Sequence, residues 1–396
     1  MATKKFAGPS AYKLQQPGPP EVDFLFTEFL NNVAADVSTK ETKEPVVAAV
    51  FGLGRAGAIH MATINRNSRI KVKYIVDDRK DKFDEFKKFW AFSDDITFLT
   101  PKESEKVYND KSVNTVFVFT PTTTHHQIVV NSLSNGKDVF CEKPIAETAE
   151  ETKKCYELAK QKGRTLFAAF MRRFDPAYRD LKNRIRRGDL GHVQIVKGTT
   201  RDSPLPPIEY LKTSGGVFFD CLVHDFDMFL WLLGEVPTRV QVSASALMEE
   251  IKAINDFDTI ATILTFPSGA VAILDNSRYS SYGIDQRMIK VDNQRPSHST
   301  EYLIGQEGVK FNPIYYSFPS RYKLAYQREL EHFLDVIQYG APIDVNSWQI
   351  LAVSKVVAAA EKSARTGETV YIDWSKDDIP AEYSYLHSLH HTFNGY

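Results

Sequence analysis

From Pro45 onward, short apolar runs alternate with amphipathic stretches. Val46–Phe51 is a β-branched run bounded by proline and glycine, and it predicts a buried strand. The Gly52–Gly57 segment follows, then a helical stretch to about Asn65. Ile70–Val76 predicts a second strand, and a charged amphipathic helix covers Lys80 to Trp90. Thr97–Leu99 and Thr115–Thr120 predict further strands, with a helix starting near Pro101 between them. Thr124–Leu133 is helical, Asp138–Cys141 extended, Ala146–Lys162 helical and Thr165–Met171 extended. Strands and helices alternating in this way predict βαβ units, a parallel sheet and right-handed crossovers.

The pattern then changes. Pro176–Arg187 and Cys221–Leu233 predict helices. Around them lie strands at His192–Thr200, Arg239–Ala246, Thr259–Phe266, Ala270–Arg278 and Arg287–Val291. Turns such as Phe266-Pro267-Ser268-Gly269 join consecutive strands, which predicts antiparallel pairing. Helices at Tyr322–Tyr339 and Trp348–Ala364 close this half. The expected fold class is α/β, a parallel sheet followed by an α/β domain with a mainly antiparallel one. The expected divisions are an N-terminal extension over 1–44, a first domain over 45–170, a second over 171–373 and a tail over 374–396. The Gln-Gln-Pro-Gly-Pro-Pro run at 15–20 supports neither helix nor central strand, and one short helix is expected over 23–37.

Composition narrows the partners. With 43% hydrophobic and 25% charged residues over 396 positions, the chain is of ordinary globular make-up. Lys plus Arg number 49 against 50 Asp plus Glu, so no basic excess exists to grip nucleic acid or an anionic membrane. The apolar stretch Val217–Leu233 carries Asp220, His224, Asp225 and Asp227, which argues against a membrane span. The three cysteines, Cys141, Cys155 and Cys221, are odd in number and widely spaced, which predicts no disulfide framework and a reducing compartment. The first 20 residues carry three lysines and no arginine, which reads as a flexible extension, with a transit peptide as the alternative. The cytoplasm is the expected location.

Candidate chemistry begins at Gly52-Leu53-Gly54-Arg55-Ala56-Gly57. A GxGxxG alone is weak. Here it follows a strand, opens a helix and has an acid, Asp77, 20 residues on at the end of the second strand. That context predicts a Rossmann dinucleotide site. Gly52 permits the turn, Gly54 lets backbone N–H groups approach the pyrophosphate, and Gly57 lets helix pack on strand. Arg55 and Ala56 belong to the same turn. Asp77 accepts hydrogen bonds from the adenosine ribose in this reading, with Asp78 as the alternative. A carboxylate there repels a 2′-phosphate by roughly 4 kcal/mol at about 4 Å and an effective dielectric near 20, favouring NAD over NADP. Arg79 and Lys80 dilute that preference.

Further clusters lie at carboxyl ends of parallel strands. Thr120-Pro121 with His125, and Glu142-Lys143-Pro144, both fall on the edge where a cofactor would lie. His125 reads equally as a packing residue. The Lys143–Pro144 bond is open to the cis form, at a base rate of about 5–6%. Asp220-Cys221-Leu222-Val223-His224-Asp225-Phe226-Asp227 opens a helix, and the i, i+4 spacing places Asp220 and His224 on one face. An N-capping Asp220 beside a core histidine is the structural alternative. A metal is not expected, because no third His or Cys stands at a helpful spacing.

The order GxGxxG, Thr-Pro…His, Glu-Lys-Pro and Asp-xxx-His resembles the glucose–fructose oxidoreductase/inositol dehydrogenase/rhizopine-catabolism family, from about Val46 to Ile372. Phe170-Met171-Arg172-Arg173-Phe174-Asp175 and the Arg321-Tyr322…Ala325-Tyr326…Glu329…Phe333 run resemble its inositol dehydrogenase branch. The resemblance implies a Rossmann domain, a second domain whose open sheet forms homodimers or homotetramers, and oxidation of a polyol or sugar hydroxyl with NAD(P). Carried over by position, Lys143 contacts the reacting hydroxyl and the nicotinamide ribose, and Asp220 and His224 form the catalytic pair with the histidine as base. Met171, Arg172, Arg201, Asp227 and Tyr282 fall at substrate-pocket positions. The chain departs at Ile284, where the family often has tyrosine, and at Asp202-Ser203. In the expected mechanism His224 takes the hydroxyl proton, Asp220 orients the imidazole and Lys143 opposes the developing alkoxide. Two alternatives are an NADP-linked dihydrodiol or aldose–ketose reductase, and a non-catalytic dinucleotide-binding regulator of the same fold.

Overall fold

The computed structural model describes residues 43–281, 283–291, 302–305, 308–311, 315–375 and 378–379. The helix expected over 23–37, Tyr282 and the tail beyond 379 lie outside the described residues.

The first lobe is built on a six-stranded parallel sheet. Its strands are β1 (Val46–Phe51), β2 (Ile70–Val76), β3 (Thr97–Leu99), β4 (Thr115–Val118), β5 (Asp138–Glu142) and β6 (Leu166–Ala169). Their order is β3-β2-β1-β4-β5-β6. The apolar runs are buried on both faces, as parallel strands covered by helices must be. The intervening helices are α1 (Arg55–Ile64), α2 (Phe83–Trp90), α3 (Glu105–Asn109), α4 (Thr122–Ser134) and α5 (Ala149–Lys162). The order in which strands are added reverses between β1 and β4, so the turns after these parallel strands open a crevice at the sheet's carboxyl edge. Helix α5 starts with a capping box, in which Thr148 accepts from the Glu151 N–H, and ends at Gly163 with φ 59°.

The second lobe opens with α6 (Pro176–Arg187). Its sheet is formed by β7 (Ile195–Arg201), β8 (Arg239–Ser245), β9 (Thr259–Thr265), β10 (Val271–Ser277), β11 (Asp285–Val291) and β14 (Val370–Tyr371), in the order β11-β7-β10-β9-β8-β14. One pair, β7 with β10, is parallel and the others are antiparallel, so the sheet is mixed rather than uniformly antiparallel. A hairpin of β12 (Tyr302–Gly305) and β13 (Gly308–Phe311) stands apart. Between β7 and β8 run α7 (Ile208–Leu211), a π-helical turn over Phe218–Leu222, and α8 (Val223–Leu233). Three short or long helices complete the lobe after α9 (Glu249–Ala253), namely α10 (Phe318–Arg321), α11 (Lys323–Tyr339) and α12 (Ser347–Thr366).

Helices α8 and α12 cover one face of this sheet. Gly198 on β7 faces Phe229 so closely that a Cβ there would stand 2.8 Å from the ring. The other face carries the alternate residues Arg239, Gln241, Ser243, Thr259, Ala261 and Ile263, all accessible. The lobes join along α11. Phe333 packs on Phe117, Phe140 and Phe167 of the first sheet. At the rim, Arg69 reaches across to Glu331 at 2.7 Å and Asp335 at 3.0 Å.

Candidate active site

The glycine turn has the shape that a phosphate cradle requires. Gly52 has φ 90°, and a Cβ there would stand 2.8 Å from the Phe119 carbonyl. A Cβ on Gly57 would meet the Gly52 carbonyl at 2.1 Å, so helix and turn touch only because residue 57 is glycine. Gly54 faces open space. Among the described residues no side chain caps α1, and no acid stands in its first turn, which leaves a positive helix end. These features fit a dinucleotide pyrophosphate. Asp77 is buried, accepting from Leu53 N at 2.7 Å and from the Arg79 backbone N at 3.0 Å. Burial would raise its pKa, but the hydrogen bonds from Leu53 and Arg79 outweigh it and hold the carboxyl below its ordinary range. Asp78 is exposed beside it.

A cleft of about 350 Å³ starts at this turn and runs between the lobes. From the first lobe it is lined by Gly54, Arg55, Ala56, Thr120, Pro121, His125, Glu142 and Lys143, and from the second by Met171, Arg172, Asp220 and His224, among others. His125 is buried, with Nδ1 2.7 Å from the Pro144 carbonyl and Nε2 2.8 Å from the Thr120 carbonyl. It lies between the two cleft-lining turns, where the neutral ring donates to one carbonyl at a time, and burial lowers its pKa against the pull of both carbonyls. The Lys143–Pro144 bond is cis. Glu142 accepts from His60 at 2.8 Å and from the Lys143 backbone at 3.1 Å.

Lys143 extends from the first lobe to the second. Its Nζ donates to the Asp220 carbonyl at 2.5 Å and lies 3.3 Å from Asp220 Oδ1. Arg278 donates to Oδ2 at 2.6 Å and the Tyr210 hydroxyl to Oδ1 at 2.8 Å. Burial opposes the charge on Asp220, yet the Lys143 and Arg278 cations hold its pKa at about 2. His224 follows on α8 with its ring edge on Phe170, and among the described residues its Nδ1 has no hydrogen-bond partner. Burial, then the Lys143 and Arg172 charges, push its pKa well below the ordinary histidine value.

Several expected positions are corrected. Asp220 does not orient His224. The π-helical turn at 218–222 replaces regular α-helix and breaks the i, i+4 register, so the carboxylate turns to Lys143, Arg278 and Tyr210. Asp227 lies outside the cleft lining, fully buried against Arg173 at 2.5 Å. Arg201 points to the open face of the second sheet, where it pairs with Asp275. Arg172 does line the cleft, with Nη1 on Asp225 at 2.7 Å and Nε without a partner among the described residues. Ile284 is buried and absent from the lining, whereas Gln286 two residues on is present. Tyr210 and Arg278 were not legible as site residues, because no local motif marks them, and Gln286 stands in the same short stretch as Ile284 but was not singled out. Asp202, noted only as a departure, also lines the cleft.

Residues 46–170 match the model of an oxidoreductase family with an NAD-binding Rossmann fold, and residues 178–291 match the GFO/IDH/MocA C-terminal domain. The chain belongs to that oxidoreductase family, and its cofactor is NAD. The myo-inositol 2-dehydrogenase of Thermotoga maritima is 32% identical to it over 82% of this chain and 98% of that protein. The scyllo-inositol 2-dehydrogenase (NAD(+)) of Bacillus subtilis is 33% identical over 83% of this chain and 96% of its own. The crystal structure of a myo-inositol dehydrogenase from Corynebacterium glutamicum superposes with a TM-score of 0.71 at 26% identity, covering 84% of this chain and all of that one.

Proposed function

We propose that the protein oxidises a secondary ring hydroxyl of a cyclic polyol, with an inositol as the leading substrate class. One observation carries this reading: Lys143 from the first lobe and His224 from the second line the same cleft, and that cleft starts at the glycine turn. The relatives named above act on inositols, which supports the substrate class. When bound, NAD supplies the acceptor for the hydride. The glycine turn and the α1 N-terminus would hold its pyrophosphate, with Thr120, Pro121 and His125 on the opposite wall.

Within that arrangement His224 is the base. Its depressed pKa keeps the imidazole neutral at physiological pH, so it holds a lone pair ready for the hydroxyl proton. As that proton leaves, the carbon-bound hydrogen leaves with its electron pair and a ketone forms. Lys143 places its ammonium against the oxygen while negative charge develops there. Asp220 anchors Lys143 rather than the imidazole. Met171, Arg172, Asp202 and Gln286 offer the remaining contacts to a polyhydroxylated ring. We place a homodimer or homotetramer on the uncovered face of the second sheet, and the protein in the cytoplasm, where its three unpaired thiols suit a reducing medium.

The test is direct. Purified protein is offered myo-inositol, scyllo-inositol and related ring polyols with NAD or NADP, and absorbance is followed at about 340 nm, the signature of a reduced nicotinamide. Reduction of NAD with an inositol is the expected outcome. Tight NAD binding without turnover on any polyol would instead make the chain a dinucleotide-binding regulator.

A further inference from the structure

Tyr210 stands on α7, in the segment that passes from β7 to the π-helical turn along the second-lobe side of the cleft. Two contacts leave its side chain in different directions. The hydroxyl donates to Asp220 Oδ1 at 2.8 Å. The ring lies against Arg55, whose guanidinium carbon is 4.5 Å from the ring centroid, with Phe318 at 5.8 Å beyond it. Arg55 is the first residue of α1, at the glycine turn, and no carboxylate pairs with it among the described residues. Tyr210 is 36% exposed, so the fold does not hold it by burial.

Asp220 is thus gripped by donors from three separate elements: Lys143 after β5, Arg278 after β10 and Tyr210 on α7. Of these, Tyr210 alone is uncharged and alone also touches the glycine turn. We propose that Tyr210 is a positioning residue: its ring seats Arg55 toward the dinucleotide phosphates, and its hydroxyl fixes the Asp220 carboxylate against Lys143. One side chain then links the phosphate end of the cleft to the cation at its chemical end. The inference rests on the dehydrogenase reading and adds a device that no local motif encodes. A carboxylate released from one of its donors can rotate, and small misplacements of a reacting group are costly in rate.

Tyr210→Phe keeps the ring and removes the hydroxyl, while Tyr210→Leu removes both contacts. Each variant and the wild type are titrated with NAD by quenching of intrinsic fluorescence, then assayed over a range of myo-inositol concentrations. Tyr210→Phe is expected to leave NAD affinity within about twofold and to lower kcat about tenfold. The loss should fall on kcat rather than on the KM for the polyol, because the carboxylate is released while the cofactor seat is kept. Tyr210→Leu should lose the same kcat and in addition bind NAD about five- to tenfold more weakly, since Arg55 loses its seat. A Tyr210→Phe enzyme with wild-type kcat, or one whose loss appears only in the KM for the polyol, would overturn the hydroxyl's role, and a Tyr210→Leu enzyme with wild-type NAD affinity would overturn the ring's. If the wild type turns over no polyol, the dehydrogenase reading fails, and the NAD titration still tests the ring on its own.

Discussion

Asp220 and Asp227 stand seven residues apart on one helical run, the first half-buried and the second buried, and both are paired with an arginine. Their surroundings differ. Arg173 closes entirely on protein: its Nε and Nη2 fork onto Asp227, and its Nη1 reaches the Asp344 carbonyl at 2.8 Å and Gln349 at 2.6 Å. Around Asp220 the account stays open. Arg278 keeps Nε and Nη1 without partners among the described residues, His224 keeps Nδ1 and Gln286 keeps Oε1. Three residues that line the cleft, Arg172, His224 and Gln286, keep such buried polar atoms, and a ligand seated there would supply partners for them. A saturated ion pair holds the fold, whereas an unsaturated one beside a cavity is poised for chemistry.

The sharpest test of that contrast is Lys143→Met. It should lower turnover about a thousandfold or more while NAD affinity changes little, since the loss falls on charge developing in the transition state. Loss of NAD binding in parallel would mean that Lys143 serves the cofactor alone. Next, His224→Ala should cost about 10²–10⁴ in kcat, the range for a positioned base. Unaltered kcat would remove the histidine from that role. The wild-type pH profile sharpens this further. Because the His224 pKa is depressed, the base stays unprotonated as pH falls past about 6.5, so kcat/KM should hold its plateau there and decline only at lower pH. A midpoint at the ordinary histidine value would contradict the burial of that ring.

On the closed side, Asp227→Asn should destabilise the protein by about 3–5 kcal/mol in urea unfolding, because it leaves Arg173 buried without its counter-charge. NAD affinity of the folded fraction should be unchanged. A variant of wild-type stability with a raised KM for the polyol would move Asp227 back into the substrate pocket. The smallest effect is expected at Asp77→Ala, which should narrow the preference for NAD over NADP by about tenfold as repulsion of a 2′-phosphate is lifted. Dissociation constants for the two reduced cofactors measure it.

Much of the first lobe was legible because its signals are local. The β-branched run Val46–Phe51, the glycine turn and the acid at Asp77 lie in short stretches whose strand–turn–helix geometry follows from steric rules. The parallel pairing of its six strands follows from repeated βαβ units. In the second lobe, turn residues announced consecutive strands but not the parallel pairing of β7 with β10, since pairing partners are set by packing over long separations. The i, i+4 spacing of Asp220 and His224 misled because it assumed a regular α-helix, and one π-helical turn redirected the carboxylate.

By itself, the sequence determined which segments form the dinucleotide half, where its phosphate cradle lies and which side chains could do acid–base work, because each of these is written within a few residues. Only the tertiary structure decided which side chains gather at the cleft. Arg201 and Asp227 went to a sheet face and a sealed core, while Tyr210, Arg278 and Gln286 were drawn in from separate elements. The physical reason is that a side chain's partners are fixed by chain crossings over tens to hundreds of residues, whereas its intrinsic chemistry is fixed by its identity alone.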